Sequence, residues 1–201
     1  MFRAKTFFGL VGSLVLVSLP AFSQDDEGYS RHEFTAQAFG SFLTSTNSNG
    51  VQQSATNSGG VLGSYRFFFN RNNGVEVDYG YSLNTQNYAL SSGSFGVESY
   101  SHEVSAAYVF RYPLRHWSPF VLAGAGGLVF DPKDAPAIGS QTRAAFVYGG
   151  GADFTISKHI FMRAEYRGFV YNSPTFGLQS LQGTDRITHR AEPSIGFGYR
   201  F

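Results

Sequence analysis

Cysteine is absent from the 201-residue chain, which excludes disulfides, thiolate metal sites and a lipid attached through an amino-terminal cysteine. Charge is sparse and balanced, with 15 Lys and Arg against 14 Asp and Glu, so no basic excess points to nucleic acid. Long apolar runs are missing beyond the first two dozen residues. The longest, Phe120–Phe130, is interrupted by glycine and falls well short of the ~20 residues a membrane-crossing helix needs. What the chain has instead is 12 Tyr and 21 Phe beside 24 Gly, with only 14% charged residues. An aromatic- and glycine-rich chain without apolar runs suits a membrane barrel better than a soluble sandwich.

The amino terminus sets the compartment. Arg3 and Lys5 precede the apolar stretch FFGLVGSLVLVSLPA, and Ala21-Phe22-Ser23 follows. A charged start, a short apolar core and a small-x-small site are the parts of a secretory signal peptide. The expected domains are a leader over 1–23, cleaved after Ser23, and a barrel over 24–201. Loss of Arg3 and Lys5 leaves the remainder close to neutral.

Periodicity gives the secondary structure. Val75, Val77, Tyr79, Tyr81 and Leu83 alternate with Glu76, Asp78, Gly80 and Ser82, a strand with one apolar and one polar face. The same alternation marks eight segments, near 32–43, 60–69, 74–86, 99–112, 119–130, 143–154, 159–171 and 187–201. Each reaches the roughly 9–11 tilted residues that cross a bilayer. Their connections alternate strictly between long and short. The tract 44–60, the links near 87–98 and 131–142, and the stretch 172–186 are long. Asn70–Asn73, Pro113–Ser118 and Thr155–Lys158 are short and rich in turn formers. Outer-membrane barrels sort their loops this way, short turns to the periplasm and long loops outward. A lipid environment also demands that every backbone polar group be satisfied internally, which strands achieve only in a closed barrel. The expected fold is all-β, an eight-stranded antiparallel up-and-down transmembrane barrel, with ten strands as the alternative.

Face assignment follows from parity. Val61, Tyr65, Phe67, Val75, Val77, Tyr79, Tyr81, Val104, Tyr108, Phe110, Phe146, Tyr148, Phe154, Ile160, Met162 and Tyr166 point to lipid. The opposite parity collects Arg66, Glu76, Asp78, Glu103, Arg111, Asp153, Arg163, Glu165, Arg167, Glu192 and Arg200. Their charges nearly cancel, as a closed lumen requires, because buried charge is tolerated only when paired. Gly80, Gly149, Gly151, Gly196 and Gly198 share that parity and are expected to leave space for the arginines. The first and fifth segments stay open, since both of their parities carry small apolar residues.

Signals for chemistry are thin. Ser101-His102-Glu103 brings together residue types used by lipid-modifying enzymes, but neighbours along a strand face opposite ways and cannot form a dyad. His32, His102, His116, His159 and His189 lack metal-ligand spacing, and the loop acids Asp131 and Asp134 read as solvated charge. No catalytic, metal or cofactor site is expected. The Ser/Asn/Gly-rich tract 44–60 reads as a surface loop able to meet a ligand that composition does not name.

Three stretches, GVEVDYGYSLNT at Gly74–Thr85, FMRAEYRGFVY at Phe161–Tyr171 and the closing AEPSIGFGYRF, resemble the small OmpA/OmpX-type outer-membrane barrels of Gram-negative bacteria. The resemblance spans nearly the whole chain at the level of fold. It implies a monomer surrounded by outer-membrane lipid and lipopolysaccharide, inserted by the barrel-assembly machinery. That machinery reads a carboxy-terminal strand ending in an aromatic, a part that Ile195, Phe197, Tyr199 and Phe201 would play. Unlike in OmpA, no soluble domain is expected after the barrel, so the resemblance implies no peptidoglycan tethering. The expected role is structural or surface-interacting through four long outer loops. The alternatives are a lipid-modifying enzyme and a narrow solute channel.

Overall fold

The computed structural model describes residues 30–43, 46–48, 51–55, 58–90, 93–132, 140–172 and 187–201. The expected leader, Asp134 and the stretch 173–186 lie outside these residues, and the tract 44–60 lies partly outside. Ten strands are described: β1 (His32–Leu43), β2 (Thr46–Ser48), β3 (Val51–Ala55), β4 (Ser58–Phe68), β5 (Asn73–Leu90), β6 (Gly93–Arg111), β7 (Trp117–Pro132), β8 (Gln141–Thr155), β9 (Ile160–Asn172) and β10 (Ile187–Arg200).

Eight of them form the wall. Each pairs antiparallel with its neighbours in the order β1-β4-β5-β6-β7-β8-β9-β10, and the pairing of β10 with β1 closes the ring. The short β2 and β3 extend the sheet beyond the end of β4, with β3 pairing residues Gln86–Ala89 of β5. The ten-strand alternative is therefore not needed for closure. The link expected near 87–98 is also mostly strand, because β5 and β6 continue as one long hairpin to the pair Leu90↔Gly93.

The register measures the stagger. Following hydrogen-bonded partners from Glu33 through Arg66, Glu76, Ala107, Gly124, Val147, Phe169 and Arg190 returns to β1 at Leu43, ten residues further along. A stagger larger than the strand number tilts the strands steeply, in the region of ~35–45°. At eight strands the interior is only wide enough to be filled by side chains.

The short turns are built by local hydrogen bonds. Asn70 Oδ1 accepts from the backbone N–H of Asn72 and of Asn73, both at 2.9 Å, while Phe69 N–H donates to the Asn73 carbonyl. Ser157 Oγ accepts from Ile160 N–H at 3.1 Å in the β8–β9 turn, and Leu114 N–H reaches the Trp117 carbonyl in the β6–β7 turn. The start of β1 and the last residue, Phe201, lie at this same end. Phe201 and His32 exchange two backbone hydrogen bonds at 2.9 and 3.2 Å, and their rings stack at 5.4 Å. The last residue of the chain is thereby part of the seam.

Candidate functional site

The interior is where the chemistry collects. Every charge assigned inward by parity is buried there except Arg200, which keeps 16% of its side chain exposed at the mouth. Two fully buried charges were missing from that set, Glu33 and Arg190, each 1% exposed. Glu33 sits on β1, where both parities carry small apolar residues. Arg190 shares parity with Glu192 and was legible by the same rule.

The network falls into two clusters along the axis. Toward the short turns, Arg163 forks onto Asp153 through Nε at 2.6 Å and Nη2 at 2.9 Å, and also reaches Glu76 at 3.1 Å and Glu33 at 3.2 Å. Arg66 pairs with Glu76, and Arg111 donates to Glu33 at 2.5 Å. Toward the long loops, Arg167 bridges Glu103 and Glu192, while Arg190 holds the same two acids and donates to Ser101 Oγ at 3.1 Å. Ser105 Oγ donates to Asp78 at 2.8 Å. Some of these pairs are cross-strand neighbours, as in Arg66↔Glu76, Asp153↔Arg163 and Glu192↔Arg167. Others, such as Arg163 with Glu33 and Arg190 with Glu103, join strands that are not hydrogen-bonded neighbours, so they depend on closure and stagger. Between the clusters, Glu165 accepts from Gln37 Nε2 at 3.3 Å, and Ser194 Oγ donates to Gln37 Oε1 at 3.1 Å.

An apolar cluster shares the interior with these charges and with buried Ser, Thr and Gln side chains. Phe68, Val109, Phe120, Leu122, Leu128, Phe130, Val147, Phe169 and Tyr171 pack into one buried cluster. This resolves β7: Phe120, Leu122, Leu128 and Phe130 face inward and Val121 outward. On β1, Glu33, Thr35, Gln37, Phe39 and Ser41 face inward, and Phe34 and Phe42 outward. Arginine planes stack where the two chemistries meet, Arg66 over Phe120 at 3.9 Å and Arg111 over Phe68 at 3.7 Å, a contact that favours guanidinium over ammonium.

The glycines do something other than make room for arginine. A Cβ at Gly198 would collide with the Phe161 ring, and one at Gly80 with the Glu103 carboxylate. At Gly149, Gly151 and Gly196 it would strike the backbone of the adjoining strand. These positions let neighbouring strands and bulky inward groups approach closely. The arginines lie over the aromatic rings instead.

The outer surface has the opposite character. Val61, Phe197 and Ile195 are 62%, 61% and 56% exposed, and the remaining outward residues assigned from parity are exposed or half-buried. Contiguous apolar exposure on this scale marks a lipid-facing surface. A closed eight-strand ring with an ion-paired interior and an apolar exterior is the architecture of a bacterial outer-membrane barrel.

The outer membrane protein beta-barrel domain family matches residues 10–201. The chain belongs to that family. Among solved structures, Neisserial surface protein A matches at a TM-score of 0.63 and 13% identity, covering 85% of this chain and 97% of its own. OprG from Pseudomonas aeruginosa matches at 0.59 and 13%, covering 87% and 98%. Ail, the attachment invasion locus protein of Yersinia pestis, matches at 0.50 and 20%, covering 86% and 100%. At these identities the likeness establishes the fold. No curated protein matches the sequence.

In this family member the histidines on the outer face pair with tyrosines. His102 Nδ1 meets Tyr79 OH at 2.9 Å, His189 Nε2 meets Tyr148 OH at 2.7 Å, and His32 Nδ1 meets Tyr65 OH at 2.6 Å. His102 thus points away from Ser101 and Glu103, both buried inside, so these three residues form no catalytic triad. Among the described residues no group of three His, Asp or Glu is placed to hold a metal. Ile195, Phe197 and Tyr199 lie on the lipid face and Phe201 at the seam. Tyr148 also covers Gly168, its cross-strand partner, supplying aromatic cover to backbone that has no side chain of its own.

Proposed function

We propose that the protein is a non-enzymatic, non-conducting outer-membrane barrel whose role is structural or surface-interacting and is exercised through its long outer loops. The filled lumen carries this reading. Arg66, Arg163, Arg167 and Arg190 are fully buried side chains that cross the interior, and an apolar cluster packs beside them. Moving water or solute along the axis would require unpairing several buried ions together, each at a cost of several kcal/mol (~3–5 per broken pair). With the interior committed to packing, the surface available to a partner is the long-loop end. One of the similar folds is named for attachment, which is in keeping with that assignment.

Incorporation into planar bilayers tests the reading: no stable porin-sized conductance is expected, and a reproducible one overturns it. The lipid-modifying alternative predicts an altered outer-membrane lipid profile in a deletion strain, whereas the present reading predicts an unchanged one. The surroundings are outer-membrane lipid and lipopolysaccharide, and the working unit is a monomer. Insertion falls to the barrel-assembly machinery, with Ile195, Phe197, Tyr199 and Phe201 as the segment it reads. Phe201→Ala should then lower the amount of folded barrel in the membrane.

A further inference from the structure

The three short turns and the closing seam converge on one cavity of about 510 Å³ at their end of the barrel. Arg71 reaches it from the β4–β5 turn, Arg111 and Arg115 from the end of β6 and the turn after it, Lys158 from the β8–β9 turn and Arg200 from the end of β10. Glu33 is the single acid among the lining residues. It is already committed to Arg111, Arg163 and Arg200. Deeper in the lumen, Glu76 and Asp153 are taken up by Arg66 and Arg163. The positive charge of the mouth is therefore not balanced from inside.

Two of the lining guanidinium groups are held in place before any ligand arrives. Arg111 is 5% exposed, lies over the Phe68 ring at 3.7 Å and gives Nη1 to Glu33, yet its Nε has no acceptor among the described residues. Arg200 lies over the Phe161 ring at 4.4 Å, and its Nε and Nη2 likewise make no hydrogen bond among those residues. A buried donor without an acceptor is destabilising, so these nitrogens mark where an oxygen belongs. Arg71, Arg115 and Lys158 are exposed around the opening, and Ser118 and Thr155 add hydroxyls to its wall. Fixed planar forks, further cations and hydroxyl donors select an oxyanion of more than one negative charge. The volume falls in the range of small-molecule sites, about 300–1,000 Å³.

We propose that the mouth at the short-turn end is a binding site for a phosphate-bearing ligand. Phosphate oxygens take the free donors of Arg111 and Arg200, and Arg71, Arg115 and Lys158 meet the remaining charge from the rim. The shared chemistry has two sources, a soluble phosphate of the periplasm or the headgroup of an anionic phospholipid in the adjoining leaflet. Tyr112, Leu114, Trp117 and Ile156 are exposed on the same turns, the composition of an interfacial belt at headgroup level. The site lies at the opposite end of the barrel from the outer loops and stands or falls independently of their role.

Inorganic pyrophosphate is the probe, added to the full protein in phosphatidylcholine nanodiscs. The native chain should bind it at a single site. The triple variant Arg71→Gln/Arg115→Gln/Lys158→Gln changes only exposed side chains and should lose about tenfold or more in affinity. Arg111→Lys keeps a charge beside Glu33 but not the fork, and should weaken binding as well. The chain has no native cysteine, so a nitroxide can be placed at either end of the barrel. At Ile156→Cys it should broaden the phosphorus NMR signal of bound pyrophosphate, and at Asn172→Cys, the far end of β9, it should not. Native mass spectrometry from mixed phosphatidylcholine and phosphatidylglycerol micelles separates the sources. A lipid source leaves phosphatidylglycerol on the native chain and not on the triple variant, whereas a soluble source leaves pyrophosphate alone. Unboiled-gel mobility verifies that each variant is folded. No pyrophosphate binding by the native chain, equal affinity in either folded variant, or equal broadening from the two labels overturns the proposal.

Discussion

Strands β7 and β9 stand two places apart in the same ring and line the same lumen with different chemistry. The inward row of β7 reads Ser118, Phe120, Leu122, Gly124, Gly126, Leu128, Phe130, without a charge. The inward row of β9 reads Phe161, Arg163, Glu165, Arg167, Phe169, Tyr171. Both fill an eight-strand interior, but they fail differently. An apolar row tolerates any filling that conserves volume and is damaged in proportion to the cavity left. A charged row depends on specific partners, because one missing ion leaves its counterions buried and uncompensated. The arginines are also not purely electrostatic members. Arg167 and Arg190 both lie over Phe169 at 5.3 Å, so the two chemistries interlock rather than divide the lumen.

The sharpest way to break this contrast is to remove Arg163. Arg163→Met strands Asp153, Glu76 and Glu33 together, and a loss of about 3–5 kcal/mol is expected, read as a lower urea midpoint for the heat-modifiable form in micelles. Pairing it with Asp153→Leu should recover part of that loss, because the bidentate partner is then gone too; no recovery would mean the site acts through packing alone. On the β7 side, Leu128→Ala should cost about 2–4 kcal/mol through its cavity, whereas the volume-conserving Leu128→Met should cost under about 1.5 kcal/mol in the same assay. If both substitutions are equally harmful, the apolar row is as specific as the charged one. The smallest effect is expected outside the lumen. Tyr148→Phe removes the hydroxyl's bonds to His189 and Tyr166 and keeps the ring over Gly168, so about 0.5–1.5 kcal/mol is at stake.

Much of this was readable in advance, and the reasons differ by element. The long-versus-short alternation of the connections located the turns, because a two-ended barrel sorts its loops and hairpin turns demand Asn, Ser and Pro. The parity of β4, β5, β8, β9 and β10 was legible because lipid and lumen impose opposite polarities on alternate residues. It was illegible on β7 and β1 for one shared reason. The inward positions of β7 are apolar too, since they face the packed cluster, and β1 carries Ala36, Ala38 and Gly40 on its lipid side. Polarity then no longer distinguishes the faces, and Glu33 was hidden with them. The purpose of the inward glycines was also out of reach. Their contacts are with the neighbouring strand or with Phe161 and Glu103, none of them local in sequence. The β5–β6 hairpin runs further than alternation suggested because backbone pairing continues past the last residues that a bilayer has to sort.

By itself, the sequence determined that the chain is a barrel, roughly where its eight wall strands run and, outside β1 and β7, which parity faces inside, since all three follow from period two and from the rule that a membrane leaves no backbone group unpaired. Only the tertiary structure decided which charge meets which. Parity assigns Arg163 and Glu33 to one compartment but says nothing of their distance. The ten-residue stagger between β1 and its own return around the ring sets that distance, by sliding each strand along the next until particular acids and bases face one another.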